Sequence, residues 1–208
     1  VILTETLSKA NKFFPKKRAI VCGGERWTYQ EFYERVNRLS HCLKKWGVRK
    51  DDKVAVLHPN CHTFLEAYYG VAQMGAISVP INIRLSPGEI AFILQDSESK
   101  VLIADPMFQD KIDAIRGEIP KIEKILWTGK EEVGKGPLDL IYETALSQAV
   151  SGEFTKPSIS DEDIAQIYYT SGTTGRPKGV MLSHKNVTAH ALGTIAEIHL
   201  TDRDVWIH

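Results

Sequence analysis

Between residues 53 and 104 the chain alternates short apolar runs with stretches of helical apolar spacing, and that alternation leaves few folds open. Residues 53–57, 77–83 and 101–104 read as strands, the first and last of them nearly unbroken apolar runs of the kind found where both faces are covered. Between them, residues 62–74 read as a helix closed by Gly75, and Ser86-Pro87-Gly88-Glu89 opens another with proline in its first turn. Helix-length crossovers return the chain to the same end of a sheet, so these strands must run parallel. The fold class is α/β, a mostly parallel sheet flanked by helices. In such sheets ligands sit at the carboxyl ends of the strands.

The flanking segments extend the pattern. Residues 3–14 have helical spacing and stop before Pro15, while 19–22 and 25–28 form a hairpin around Gly23-Gly24. Thr28 followed by Glu31 is a capping box for a helix whose apolar face is Phe32, Val36, Leu39, Leu43 and Trp46 and which stops at Gly47. A helix near residues 109–117 and a strand within 121–128 continue the alternation. The polar stretch 129–136 is a surface loop and a plausible seam, and a weaker boundary falls at 151–160. Lobe 1 is then about residues 1–150 and lobe 2 begins at about 160–208. Within it, residues 164–169 form a strand, 179–182 resume an extended run, and Ser183 or Asn186 caps a helix reaching about Ile198. Val205-Trp206-Ile207-His208 reads as a strand cut short, and the first residue, Val1, is not Met; the sequence reads as a piece of something longer.

The segment between those last two strands carries the chemistry. Thr170-Ser171-Gly172-Thr173-Thr174-Gly175-Arg176-Pro177-Lys178-Gly179 packs hydroxyls, glycines and a cation into one turn. Gly172, Gly175 and Gly179 allow positive φ and close backbone approach, so that successive N–H groups can converge on anionic oxygens. Thr170, Ser171, Thr173 and Thr174 add hydroxyl donors, Lys178 adds a compact positive charge, and Pro177 stiffens the turn before it. A plain surface hairpin uses the same residue types, but not in this order directly after a strand. A Walker-type loop needs glycine before its lysine and Ser or Thr after, where this chain has Pro177 and Gly179; kinase and dinucleotide loops need G-x-G-x-x-G, which is absent here. Without nucleotide, the loop 170–179 is expected to be mobile.

TSGTTGRPKGV, with Ser183-His184 following, closely resembles the signature of the adenylate-forming superfamily, which includes acyl- and aryl-CoA synthetases, firefly luciferase and peptide-synthetase adenylation domains. Weaker agreement extends through Trp27-Thr28-Tyr29-Gln30-Glu31-Phe32, Gly75-Ala76-Ile77-Ser78-Val79-Pro80-Ile81-Asn82 and Leu85-Ser86-Pro87-Gly88-Glu89. Together these look like the first part of the large amino-terminal domain of an acyl-CoA synthetase, one acting on fatty acids. The resemblance implies a two-step reaction: a carboxylate attacks the α-phosphorus of Mg-ATP and releases pyrophosphate, then the thiol of coenzyme A takes the acyl group from acyl-AMP. It implies ATP-phosphate or pyrophosphate contacts for Thr170, Ser171, Gly172, Thr173, Thr174, Gly175 and Lys178, with Lys178 acting on the leaving group and Thr170 approaching Mg2+. The adenine contacts, the magnesium-binding Glu, the ribose-binding Asp and the carboxy-terminal lid would lie beyond His208, so the 208 residues alone are expected to be inactive. An adenylation domain loading a carrier protein, and a non-catalytic phosphate-binding homologue, remain as alternatives.

Composition excludes other classes. Lys+Arg and Asp+Glu balance at 26 each with no long block of either sign, unlike a nucleic-acid binder. Cys22, Cys42 and Cys61 are widely spaced with no CxxC pair, which fits a reduced, cytoplasmic setting and no zinc site. The apolar stretch 64–83 is broken by Glu66, Gln73 and Pro80 and is not a membrane span, and residues 1–11 lack a signal-peptide core. The partners expected are the acid, ATP and coenzyme A, with a homodimer left open. His184 reads as a capping or packing residue; His58, His62 and His190 have no carboxylate or cysteine arrangement around them that suggests a metal, and read as surface or core residues. Asp161, Glu162 and Asp163 read as a solvated turn, and Trp27 and Tyr29 as core.

Overall fold

A computed structural model describes residues 1–129, 133–134, 136–171 and 176–207. Its centre is a seven-stranded sheet of β3 (Lys53–Leu57), β4 (Ile77–Pro80), β5 (Val101–Ala104), β6 (Lys124–Trp127), β7 (Asp139–Ile141), β8 (Ile164–Thr170) and β9 (Lys178–Ser183), in the order β7-β6-β5-β3-β4-β8-β9. Every neighbouring pair is parallel except β8 with β9. A separate antiparallel hairpin joins β1 (Arg18–Cys22) to β2 (Glu25–Thr28). The α/β class read from the alternation is the observed architecture.

The helices are α1 (Leu3–Phe13), α2 (Tyr29–Lys45), α3 (His62–Gln73), α4 (Pro87–Asp96), α5 (Gln109–Ile115), α6 (Tyr142–Ser147) and α7 (His184–Glu197). Local chemistry sets several of their starts. Thr28 Oγ1 accepts from the Glu31 N–H at 3.2 Å while Glu31 Oε2 accepts from the Thr28 N–H at 2.8 Å. Ser86 with Glu89, and Ser183 with Asn186, repeat the same reciprocal cap, so both residues named for the last helix take part. Gly47 and Gly75 follow α2 and α3 with φ of 82° and 66°, the left-handed turn that ends a helix cheaply only at glycine.

β3, β5 and β6 each divide their apolar run between two cores. Along β5, Leu102 and Ala104 join a cluster with Ile90, Ile93, Ile112 and Trp127 under α4 and α5, while Val101 and Ile103 join Leu39, Leu43, Val71 and Tyr142 under α2, α3 and α6. The second layer also holds a buried ionic network. Arg35 of α2 donates from Nε and Nη2 to the two carboxylate oxygens of Glu66 on α3 at 2.6 and 3.1 Å, and from Nη1 and Nη2 to Glu143 on α6 at 3.0 and 2.6 Å. The Tyr142 hydroxyl donates to Glu66 at 2.8 Å, and Trp27, half-buried, lies with its ring centroid 4.7 Å from the Arg35 guanidinium. Burial works against the charge on Arg35, yet the hydrogen bonds and charges of the two glutamates outweigh it and raise its pKa.

Some expectations change. The strand expected over 77–83 ends at Pro80, β7 and α6 are too short to carry a periodic signal, and residues 205–207 form no strand, since β9 is the last member of the sheet. β6 and β7, on either side of 129–136, pair with each other, and β8 and β9, after 151–160, belong to the same sheet as β4.

Candidate functional site

Of the residues expected to grip phosphate, Thr170, Ser171 and Lys178 are described; Gly172, Thr173, Thr174 and Gly175 lie outside the described residues, and the expectation of a mobile loop falls with them. Thr170 closes β8, Lys178 opens β9, and the two are register partners across the antiparallel ladder. All three side chains are exposed. Directly opposite residues share a face with Cβ atoms about 4.5–5.5 Å apart, so a hydroxyl and an ammonium can meet one anion there. Since β8 runs parallel to β4, the pair stands at the carboxyl end of the sheet, the edge at which such sheets bind ligands.

The same edge holds a second candidate, at the ends of β3 and β5, where the strand order reverses. It is closed by His58. The Pro59 carbonyl, 2.8 Å from Nδ1, can only accept, so Nδ1 carries the proton and Nε2 accepts from the Thr128 hydroxyl at 2.7 Å. Asp105 lies 3.4 Å from Nε2 and Cys61 Sγ 3.3 Å from Nδ1. Asp105 reaches His58 from the end of β5, a strand distant in sequence, whereas Cys61 lies three residues further on in the same β3–α3 connection. Burial pushes the His58 pKa down, against the pull of the Pro59 carbonyl and Asp105. Among the described residues no group of three or more His, Cys, Asp or Glu could hold a metal ion. With its ring nitrogens engaged, His58 ties the strand ends together.

Gly179 has a different role from the one its place in the motif suggested. Its φ is not positive; instead, a Cβ there would come within 2.8 Å of Ile167 Cγ2 and 3.3 Å of Tyr169 Cζ. The missing side chain lets these two residues of β8 lie across β9. Ile167 is β-branched and nearly buried, so it has little freedom to withdraw. Gly179→Ala is expected to cost about 1–3 kcal/mol through this crowding, read as a lower denaturation midpoint in the full-length protein. An unchanged midpoint would show that the strands have room to spare.

The neighbouring polar residues are structural. His184 is fully buried, its Nδ1 accepts from the Leu3 N–H at 3.3 Å, and burial pushes its pKa down, so it packs α7 onto α1 as a neutral ring. The acidic trio forms a solvated turn, as expected, and two of its members pair from it: Asp163 with Lys50 at 2.6 Å and Glu162 with Lys185 at 2.7 Å. Among the described residues no helix is long and apolar enough to cross a membrane.

A family model described as AMP-binding enzyme matches residues 7–208. The chain belongs to the AMP-binding enzyme family. It is 38% identical over 210 residues to the long-chain-fatty-acid–CoA ligase of Thermus thermophilus, covering 98% of this chain and 37% of that protein. It is 31% identical over 205 residues to 4-hydroxybutyrate–CoA ligase 2 of Metallosphaera sedula, covering 97% of this chain and again 37% of the relative. The crystal structure of an anthranilate CoA ligase in complex with anthranoyl-AMP superposes with a TM-score of 0.86 at 28% identity, over 92% of this chain and 36% of that one. The chain thus spans little more than a third of the length of these relatives.

Proposed function

We propose that the full-length protein activates a carboxylic acid with ATP, forming acyl-AMP and pyrophosphate, and transfers the acyl group to coenzyme A. The observation that carries this reading is the pairing of Thr170 with Lys178 at the exposed carboxyl end of β8, at either end of the Ser/Thr/Gly turn. In it, the hydroxyls of Thr170, Ser171, Thr173 and Thr174 and the backbone at Gly172 and Gly175 hold the β- and γ-phosphates. Lys178 follows the negative charge that builds on pyrophosphate as the α-phosphorus bond breaks. The relatives' names favour coenzyme A over a carrier protein, and the Thermus relative makes a fatty acid the first acid to test.

Magnesium fits this reading as a companion of ATP. The exposed Thr170 hydroxyl is a hard oxygen donor suited to it, and the remaining ligands would be phosphate oxygens and water. Bound there, the ion would offset phosphate charge. Thr170 would orient the triphosphate relative to Lys178, while the two strands hold both groups in place.

The test is ATP–pyrophosphate exchange by the full-length protein, with and without a panel of fatty acids. Incorporation of labelled pyrophosphate into ATP that depends on added acid is the expected result. Phosphate release without acid dependence would replace the reading with a simple nucleotide hydrolase.

A further inference from the structure

The two residues before Thr170 are both tyrosines, and successive residues of a strand face opposite sides of a sheet. On one side the Tyr168 hydroxyl shares a hydrogen bond with the Tyr68 hydroxyl of α3. On the other, the Tyr169 hydroxyl donates to Asp96 Oδ2 at 2.6 Å, at the last residue of α4. Burial, then the neighbouring Asp96 carboxylate, raises the Tyr169 pKa, so the group stays protonated and can donate.

The position of these contacts in the sheet gives them weight. The ladder between β4 and β8 has one register pair, Ser78 with Gln166, so beyond Gln166 the only described strand paired with β8 is β9. β9 is itself the edge of the sheet. With Ser78 opposite Gln166, β4 ends at Pro80 level with Tyr168, so Tyr169 and Thr170 run past it, and a two-stranded end of this kind is free to twist and bend unless side chains hold it. Tyr168 and Tyr169 lie at that end, immediately before the Thr170–Lys178 pair, and each reaches a helix on a different face. Gly179, opposite Tyr169, leaves the space beside its ring.

We infer that Tyr168 and Tyr169 are positioning residues that hold the end of β8 from both faces and so set where Thr170 and Lys178 stand toward the triphosphate. The inference rests on the ATP reading of that pair. Neither tyrosine needs to touch the nucleotide; each acts through the strand.

The test uses the full-length protein with Tyr168→Phe, Tyr169→Phe, the double variant, Asp96→Asn and Asp96→Ala. Because misplacing a reacting group by about 1 Å can cost up to ~100-fold, each Phe variant is expected to lower the maximal rate of acid-dependent exchange about 10-fold and the double variant about 100-fold. The KM for ATP should rise while the KM for the acid stays unchanged. Asp96→Asn, which keeps an accepting oxygen, should retain most of the rate, and Asp96→Ala should match Tyr169→Phe. A role confined to stability would lower the unfolding midpoint and leave both KM values and the maximal rate alone, and that pattern overturns the inference. Hydrogen exchange supplies a readout independent of activity: amides of β8 and β9 in the double variant should exchange about 10-fold faster than in wild type, with β5 unchanged. Unaltered protection overturns the inference even if the wild-type protein shows no exchange activity, an outcome that by itself would count against the ATP reading.

Discussion

Lys178→Ala in the full-length protein is expected to lower the maximal rate of carboxylate-dependent ATP–pyrophosphate exchange roughly 10²–10³-fold, the range found when one preorganised donor to developing charge is removed. Binding of the acid should change little. The argument is that the lysine meets a group whose charge differs between ground and transition states, so its loss shows in the rate. Lys178 is exposed at the start of an edge strand, and truncating it removes no core contact, so the unfolding midpoint should stay near that of wild type. Equal loss of rate and stability would mean that the lysine supports the strand rather than the phosphate. An unchanged rate would remove it from the site.

The second large effect concerns stability. Arg35→Ala leaves Glu66, whose side chain is 0% exposed, with a carboxylate that has lost its bidentate partner inside the layer between α2, α3 and α6. Removing one member of a buried ion pair costs about 3–5 kcal/mol, because the remaining charge is still desolvated. For a domain whose whole margin is about 5–15 kcal/mol, that is a large part of its stability, and the unfolding midpoint should fall by roughly 10 °C. Replacing Arg35 by Met and Glu66 by Leu together should cost much less than Arg35→Ala alone, since no buried charge then lacks a partner. Thermal unfolding of the two variants beside wild type decides the matter. A double variant as unstable as the single one would show that Glu143, Tyr142 and Trp27 depend on the guanidinium for more than its bond to Glu66.

The legible parts of the fold were those written locally. The caps at Thr28 and Ser86 are bonds between residues three apart, and the chain shows both partners at once. The run 101–104 is short, apolar throughout and bounded by polar residues, as a parallel strand covered on both faces is, and β5 has those limits. The short β7 and α6 were not legible, since three and six residues are fewer than a period needs to declare itself. Tyr168 and Tyr169 offered one faint signal, two polar-tipped aromatics at the end of a strand that should leave a hydroxyl on each face. Nothing in the sequence named Tyr68 or Asp96 as their partners.

By itself, then, the sequence determined the α/β class, the caps and limits of the main helices, and the two extended runs of β8 and β9, because each depends on residues within a few positions of one another. Tertiary structure alone decided that β8 enters the sheet beside β4, that Thr170 faces Lys178 across the ladder, that His58 closes the neighbouring strand ends, and that Gly179 makes room for Ile167 and Tyr169. Those relations join residues far apart in the chain, such as Tyr169 and Asp96 at a separation of 73, and they arise only when strand order and register bring the groups within hydrogen-bonding or van der Waals distance.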